Sequence, residues 1–251
     1  WTSSWCLPAP PLSVGKCWTP LGNPLPNQCV FLAAGTTNWI KSTTDASGNY
    51  AFQVSPGNYD LKVQTSNNSP SLNAPRVYWL DTSFSNSKLS LTQSTVMNIT
   101  LPAKRVSVHV QDPAGNPVAN VGITTNYFFN FNLTLGTLTV MGRSEYPSSY
   151  LPATTNAFGD TTLWLFPTPA GQTYTLTATP PSGLPFLTFN VHSTTVTSDM
   201  TVVIVLEFAH APPVTTATTA PPANPQGEYT GPVTVTLSAT AYNGFTIQAT
   251  Y

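Results

Sequence analysis

Residues 44–52 read TDASGNYAF, and residues 56–63 continue with PGNYDLKV. The same order returns later in the chain, at 155–160 as TNAFGD and at 170–176 as AGQTYTL. In each copy, a tight turn with an Asp or Asn and a Gly leads to a strand, and a second Gly turn leads to another strand. Gly suits turn positions with positive φ, and Asx side chains bond to the turn backbone. The repetition predicts two similar β-domains in tandem.

Charged residues are scarce in this chain of 251 residues. It holds 8 Lys+Arg and 9 Asp+Glu, which is 7% of the sequence and a net charge of −1, against about 25% charged residues in a typical soluble domain. This leaves little electrostatic field to attract nucleic acid or an anionic membrane. Hydrophobic residues make up 41%, so the chain can bury a core. Its 25 Pro and many Thr favour strands and turns over helices.

A surface with so few charges promotes self-association, which either a glycan cover or burial in an assembly would relieve. Three Asn-x-Ser/Thr sequons, at Asn67, Asn98 and Asn132, are candidate glycosylation sites. Because Thr is abundant, such triplets also arise by chance, and the sequence alone leaves both readings open.

The chain begins at Trp1, and we therefore expect that a targeting peptide has been removed. No apolar run reaches the ~18 residues that a membrane-spanning helix needs. The longest run, 202–206, has the length of a buried strand. These features predict a secreted protein, either extracellular or at the cell surface.

Three cysteines lie near the start of the chain, Cys6, Cys17 and Cys29. A secreted chain tends to pair two of them, and their spacing is not that of a metal site. Aligning the two copies at their shared Gly-Asn-Pro places Cys17 opposite Val110 and Cys29 opposite Gly122, on different strand faces. This register argues against a Cys17–Cys29 bond and leaves a bond from Cys6 to either partner.

Turns and alternating segments predict an all-β chain with two sandwiches. The predicted divisions are an irregular N-terminal arm (1–15), a first β-sandwich (16–104), a second β-sandwich (105–208) with an insertion (126–150), a stiff Pro/Thr-rich linker (209–228) and C-terminal strands (229–251). The linker prediction follows from composition, because Pro-rich segments favour an extended, unpaired backbone.

The insertion and the C-terminal segment each contain a further strand pattern, and the C-terminal segment has two interpretations. In the insertion, Phe129, Phe131, Leu133 and Leu135 alternate onto one face. The C-terminal segment holds two alternating strands, and an isolated strand pair is marginal in water. It is either the start of a longer module or a pair of strands that adds to the open sheet edge of a neighbouring chain.

Short motifs in both copies resemble the carboxypeptidase-regulatory-like family. They are the Gly-Asn-Pro hairpins at 22–24 and 115–117, the turn and strand at 45–52 and the strand at 56–61. The resemblance covers 16–102 well and the second copy less well, because of the insertion. It implies Ig-like, transthyretin-like sandwiches of about seven strands, related to the B-type repeats of bacterial collagen-binding adhesins. It implies nothing about a ligand.

The same resemblance suggests two further features. Some adhesin B-type repeats carry a Lys–Asn isopeptide bond helped by an acidic residue, which implies Lys16 and Asn98 as candidates in the first copy. The second copy has Arg105 in place of the Lys, so the feature fails there. The ordinary alternative is a solvated edge Lys16. Residues 227–237 resemble the opening of another bacterial extracellular Ig-like module, often found beside secreted hydrolases.

The sequence offers no constellation that is typical of catalysis. The three histidines, His109, His192 and His210, have no Cys, Asp or Glu at catalytic spacing in the sequence, and Gly-x-Ser-x-Gly and His-Glu-x-x-His are absent. Most acidic residues fall in turns, where Asp45 and Asp112 are expected to form the turn. We therefore expect no enzyme, no cofactor and no metal ion.

Trp164 is the candidate for stacking on a sugar, although it lies between Leu163 and Leu165 and a core position is the ordinary reading. The scarcity of charge, the Pro-rich arm and the C-terminal strands together predict a structural subunit or stalk segment of an extracellular filament or cell-surface assembly. Its partner would be further copies of itself, through strand or arm exchange. The alternatives are a polysaccharide-binding accessory region of a larger secreted hydrolase, and an adhesin.

Overall fold

The structure is a computed structural model that describes residues 12–35, 38–65, 73–126, 131–145, 153–188, 190–209, 214–221 and 223–240. Within these ranges every regular secondary-structure element is a β-strand, which confirms the all-β prediction. The chain divides into two compact units, Trp1–Glu207 and Phe208–Tyr251, each of which is described by itself.

The first repeat of the larger unit spans residues 12–103. Its described strands are β1 (Leu12–Trp18), β2 (Gln28–Ala33), β3 (Trp39–Thr43), β4 (Asn49–Gln53), β5 (Gly57–Thr65), β6 (Val77–Asp81), β7 (Leu89–Leu91), β8 (Thr95–Val96) and β9 (Ile99–Thr100). β1 lies between antiparallel β4 and the parallel strands β8 and β9. The larger sheet has the order β3-β2-β5-β6, with β7 beside β5.

The second repeat spans residues 104–207 and follows the same plan. Its described strands are β10 (Lys104–Gln111), β11 (Gly122–Thr125), β12 (Phe131–Leu135), β13 (Leu138–Glu145), β14 (Ala153–Thr154), β15 (Asp160–Leu165), β16 (Tyr174–Thr179), β17 (Asn190–Thr194) and β18 (Met200–Val205). β10 lies between antiparallel β15 and parallel β18. Its larger sheet has the order β14-β11-β16-β17. The division at 104/105 stays a prediction.

The predicted insertion forms an antiparallel pair, β12 with β13, which we call the inserted hairpin. Its alternation places Leu133 and Leu135 in the core, and Phe129 lies outside the described residues. β13 also pairs antiparallel with β6, from Met141 opposite Asp81 to Glu145 opposite Val77. A segment of the second repeat therefore extends the larger sheet of the first, which runs β12-β13-β6-β5-β2-β3.

One hydrophobic core cluster includes residues of both repeats and of the inserted hairpin. The rings of Tyr78 and Phe166 meet edge to face, with centroids 6.0 Å apart and planes at 68°. Ser144 of β13 accepts a hydrogen bond from the Phe166 N–H at 2.8 Å, and its hydroxyl lies 2.8 Å from that of Tyr174. These buried hydrogen bonds hold β13 within the second repeat. The Tyr78–Phe166 contact and the pairing of β13 with β6 then join the second repeat to the first.

Gly142 of β13 allows the hairpin to approach this junction closely. A Cβ atom there would lie 2.6 Å from Leu133 Cδ1 and 2.7 Å from Leu80 Cδ2. Real Cβ contacts are longer, so a larger residue would require the Leu133 and Leu80 side chains to shift.

A five-residue turn, which we call the corner turn, recurs through the chain. The first residue donates its N–H to the fifth carbonyl, and its side-chain oxygen accepts the fifth N–H, while the fourth residue is Gly with φ between 75° and 87°. The described copies begin at Thr19, Asp45, Asp112, Asn156 and Asn224. Only residues with a short side-chain oxygen, followed by Gly, satisfy this pattern. The prediction that Asp45 and Asp112 form turns is confirmed.

The smaller unit contains β19 (Val214–Ala220) and β20 (Thr234–Thr240), paired antiparallel along their whole length. The prediction of an unpaired linker over 209–228 is therefore wrong at 214–220. Its Thr residues are β-branched and favour a paired strand, and the Pro residues fall outside β19. The second predicted C-terminal strand, 245–249, lies outside the described residues.

The prediction of an irregular arm over 1–15 is wrong at its end, because β1 begins at Leu12, where its pairing with β4 begins. β17 occupies Asn190–Thr194, the residues that face β16. The last strand of the first repeat is divided into β8 and β9. In each case the extent of a strand follows its partner, which alternation in one segment does not reveal.

Candidate functional site

The outer face of the larger sheet of the first repeat carries a set of aromatic and charged side chains that we call the aromatic face. Its members are Phe31, Trp39, Lys62, Trp79, Asp81 and Arg143. Cross-strand register places them on one side, since cross-strand partners point the same way. No short motif in the sequence predicts a role for these residues. The signal was present in β6, where Tyr78 and Leu80 alternate with Trp79 and Asp81.

Lys62 is the centre of the first cluster on this face. Its Nζ lies 4.2 Å from the centroid of the Trp39 ring and 3.1 Å from Asp81 Oδ2. The Trp39 ring in turn meets Phe31 edge to face at 6.4 Å. Asp81 is 1% exposed, and Ser83 donates both its N–H and its hydroxyl to the other carboxylate oxygen. The buried carboxylate is therefore fully paired, as its desolvation requires.

Trp79 forms the second cluster. Its ring lies 5.8 Å from that of Phe84, which is 63% exposed, and the Arg143 guanidinium is 5.8 Å from the Trp79 centroid. The two clusters leave ring area accessible beside fixed cations. Aromatic rings next to charged hydrogen-bonding groups are suited to binding polar ligands with apolar faces, of which sugars are one class.

Trp164 is not part of this face. It lies on β15 beside Arg105 of β10 and is 5% exposed. A ring this deeply buried presents no face to a sugar, so the stacking hypothesis for Trp164 gives way to its ordinary reading as a core residue.

Lys16 and Asn98, the candidates for an isopeptide bond, are neighbours in the structure. Asn98 Oδ1 accepts a hydrogen bond from the Lys16 backbone N–H at 3.1 Å, and Lys16 Nζ lies 5.2 Å from the Trp18 centroid. Both residues line an open groove of 740 Å³ together with Asp45 and Tyr50. The Asn98 carboxamide thus binds the Lys16 backbone in this structure, and a covalent bond to Nζ stays a prediction.

Two of the three sequon asparagines are accessible. Asn98 is exposed after β8, and Asn132 is exposed on β12, the edge strand of its sheet. Asn67 lies outside the described residues. Glycosylation at any of the three stays a prediction.

Cys17 and Cys29 are both buried free thiols. Burial raises the pKa of the Cys17 thiol to about 12, so the group stays protonated and unreactive at neutral pH while it is buried. Cys6 lies outside the described residues, and its bond to either of the other two stays a prediction.

The structure pairs one histidine with an acid that is distant in sequence. His109 Nδ1 lies 2.7 Å from Asp160 Oδ1 on the outer face of the β15-β10-β18 sheet. Sequence spacing does not reveal this pair, because β10 and β15 are neighbours only in the fold. The pair borders a groove of 420 Å³ with Ser107, Thr162 and Thr201. None of these hydroxyls hydrogen-bonds to His109 in the described part of the chain.

Metal and membrane features can be stated only for the ranges given above. There, no group of three or more His, Cys, Asp or Glu side chains is arranged to hold a metal ion. Those ranges also contain no helix with the length and apolar character to cross a membrane. That the chain is not an enzyme stays a prediction.

Comparison with known proteins gives no family assignment. No protein-family model and no curated protein matches this chain, so the resemblance to the carboxypeptidase-regulatory-like family stays a prediction.

The Bacillus anthracis TIE protein is 10% identical with a TM-score of 0.29, over 93% of this chain and 44% of that chain. This chain therefore spans less than half of that protein. The shaft pilin SpaA from Lactobacillus rhamnosus GG is 11% identical with a TM-score of 0.37, over 80% and 99% of the two chains. A streptococcal ancillary pilin is 10% identical with a TM-score of 0.32, over 93% and 84%. Similarity at this level carries no conclusion about function.

Proposed function

We propose that this chain is a structural subunit or stalk segment of an extracellular filament or cell-surface assembly. The observation that carries the proposal is the joining of the two repeats. β13 of the second repeat pairs with β6 of the first, and Phe166 packs on Tyr78. Two sandwiches joined in this way form one body that resists separation, which suits a spacer.

The composition of the surface supports association with further copies. Only 7% of the residues are charged, and several apolar side chains stand in solvent, among them Val96, Val191, Val203 and Val205. Such a surface favours association over dispersal in solution. In the proposed assembly, strand or arm exchange between copies covers these residues.

The proposal places the protein outside the cell. Secretion, glycosylation at Asn98 and a disulfide from Cys6 belong to it, as does an adhesin role at the cell surface. An exposed sequon at Asn98 and a low charge are what a glycan-covered surface would have. Intact-mass measurement of material from the native source tests the glycan and the disulfide together.

The main test is electron microscopy and sedimentation of the purified full chain over a wide concentration range. The proposal expects filaments or a concentration-dependent series of oligomers. A dispersed monomer at the highest concentrations, in native material with its modifications intact, would contradict it.

The aromatic face supports a second function, that of a polysaccharide-binding region beside a larger secreted hydrolase. Pull-down on insoluble polysaccharides tests it. Binding that is lost in Trp79→Ala and Trp39→Ala, and kept in Phe158→Ala as an exposed control, would support this function. Equal retention of the native chain and all three variants would contradict it.

A further inference from the structure

The equivalent strands β6 and β17 differ in what lies along their outer edge. β6 is the last strand of the order β3-β2-β5-β6, and β17 is the last strand of the order β14-β11-β16-β17. Five residues of β13 pair along the outer edge of β6. Along β17, the only pairing in the described part of the chain is with β16, on the inner side.

We propose that the outer edge of β17 accepts the β12 edge of a second copy of this chain. This inference rests on the proposed assembly and names the surface that forms it. An open strand edge presents a row of N–H and C=O groups that another strand can pair with. The first repeat supplies the precedent, because there the equivalent edge is paired with the inserted hairpin.

β17 lacks the features by which proteins usually protect a sheet edge. Asn190–Thr194 contains no Lys and no Pro, and Val191 is 66% exposed. The opposite edge strand of that sheet, β14, is only two residues long, and the far edge of the first repeat, β3, carries the exposed Lys41. Short length and a Lys both discourage pairing. The β17 edge is thus less protected against strand pairing than the β14 and β3 edges.

β18 is also an exposed edge strand, with Val203 and Val205 in solvent. Its equivalents in the first repeat are β8 and β9, which pair with β1 alone in the described part of the chain. The molecule therefore offers a precedent for strand addition at the position of β17 and none at the position of β18.

β12 matches this edge in length and in the character of its two faces. Both strands have five residues. On β12, Leu133 and Leu135 point to the core while Asn132 and Thr134 point outward. On β17, Asn190 and Thr194 are buried and Val191 and Ser193 are exposed. In an antiparallel pair, the inward side chains of both strands would lie on the core face of the joined sheet, and the outward side chains would lie on its solvent face. No Lys, Arg, Asp or Glu of one strand would lie opposite a charged residue of the other.

The contact is heterologous, because one copy contributes β12 and the other β17. After one contact has formed, the copy that contributes β12 still has a free β17 edge, and its partner still has a free β12 edge. The contact can therefore repeat, and it gives a chain of subunits unless a rotation closes a ring. A glycan on Asn132 would stand beside the donor edge. The test therefore uses full-length protein without glycan.

Disulfide trapping between two variants, each with one cysteine added to the native three, tests the pairing directly. Ser193→Cys is mixed with Thr134→Cys, and separately with Asn132→Cys to allow for register, under mild oxidation. The proposal expects a covalent heterodimer in one of these mixtures. Thr162→Cys, exposed on a different sheet, is the matched control and should give only the background of the native chain. Equal trapping with Thr162→Cys, or a dominant Ser193→Cys homodimer, overturns the proposal.

A second measurement separates this inference from the proposed function. Val191→Lys should weaken assembly about tenfold, because a Lys on an edge strand discourages pairing with a further strand, whereas Val203→Lys on β18 should leave assembly unchanged. Filaments that survive Val191→Lys, or that are lost equally in Val203→Lys, contradict the β17 interface but leave the proposed function standing. Absence of any assembly in the native chain contradicts both.

Discussion

The two repeats share one hydrogen-bond scheme but complete their larger sheets differently. In the first repeat, the Cys17 N–H donates to the Gly48 carbonyl at 2.9 Å, and in the second the Val110 N–H donates to Gly159 at 2.8 Å. Asn27 and its equivalent, Asn120, both adopt positive φ, of 59° and 60°. Corner turns and first strands therefore agree closely between the repeats.

The difference lies in the inserted hairpin. It interrupts the second repeat between β11 and β14, and it pairs with β6 of the first repeat. Local turn chemistry therefore determines the strand arrangement of each sandwich. A single long-range strand pairing determines whether the two sandwiches unfold separately or as one body.

The largest expected effect follows from removing the contact that joins the repeats. Phe166→Ala, at a position with 0% exposure, should lower the free energy of unfolding by about 3–5 kcal/mol. Because Phe166 packs on Tyr78, amide hydrogen exchange should accelerate in β6 as well as in β15. Urea unfolding and exchange measure the two parts. Phe158→Ala, in an exposed turn, is the control, and exchange in β6 that does not change would show that the repeats are independent.

Glycine substitutions in equivalent corner turns should have equal effects in the two repeats. A Cβ on Gly48 would lie 2.6 Å from the Cys17 carbonyl oxygen, and one on Gly159 would meet that of Val110, while φ is positive at both. Gly48→Ala and Gly159→Ala should each cost about 3 kcal/mol.

Gly115 has positive φ but open space around it. Gly115→Ala is the matched control and should cost about 1–2 kcal/mol, from backbone strain alone. Thermal unfolding of the three variants measures these differences. Equal losses of stability in all three variants would mean that the close approach of Gly48 to β1, and of Gly159 to β10, does not add to the cost of a Cβ atom.

Two buried threonines perform the same task in the two repeats. Thr44 Oγ1 accepts the Gln28 N–H at 2.8 Å and donates to the Leu25 carbonyl, and Thr155 makes the equivalent pair of bonds. Thr44→Val and Thr155→Val leave buried backbone groups unpaired and should each cost about 1–3 kcal/mol. Chemical denaturation measures this, with the exposed Thr43→Val as control. A cost in one repeat alone would contradict their equivalence.

The smallest effect concerns acid. Hydrogen bonds from Asn49 and Asn116 lower the pKa of Asp45 and Asp112, respectively. The folded-state pKa then lies below the unfolded value of about 3.9. The stabilisation is therefore present above that value and is lost as pH falls through the folded pKa. Asp45→Asn should flatten this loss in the first repeat.

The equivalent turn of the second repeat already has a neutral residue, Asn156, at the first position. Asn156→Asp should introduce an acid-dependent loss there, and Asp45→Asn should remove one. NMR titration of turn amides between about pH 6 and about pH 2, roughly 2 units on either side of the ordinary pKa, measures both. Identical titration of the native and Asp45→Asn turns would contradict the assigned hydrogen bond.

Much of the fold could be predicted from local chemistry. Gly48, Gly159 and the Asx residues before them require tight turns, and alternation in β5 and β10 separates core from solvent. These signals are contained in short segments, so one sequence suffices to detect them.

The remainder depends on which distant strands meet. Nothing within 126–150 shows that β13 pairs with β6, and nothing near His109 shows that Asp160 is its neighbour. Local sequence allows Trp164 to face either way. The Thr-rich stretch 214–220 resembles a linker in composition, because its partner, β20, lies beyond the Pro residues. Pairing energy between remote segments is not encoded in local periodicity.

Differential scanning calorimetry of the full chain tests most directly whether the two repeats form one body. The account predicts a single main transition whose van't Hoff and calorimetric enthalpies agree, since the core and the sheet formed with the inserted hairpin cross from one repeat to the other. Two resolved transitions, each with about half of the total heat and each removed by disrupting one repeat alone, would contradict it.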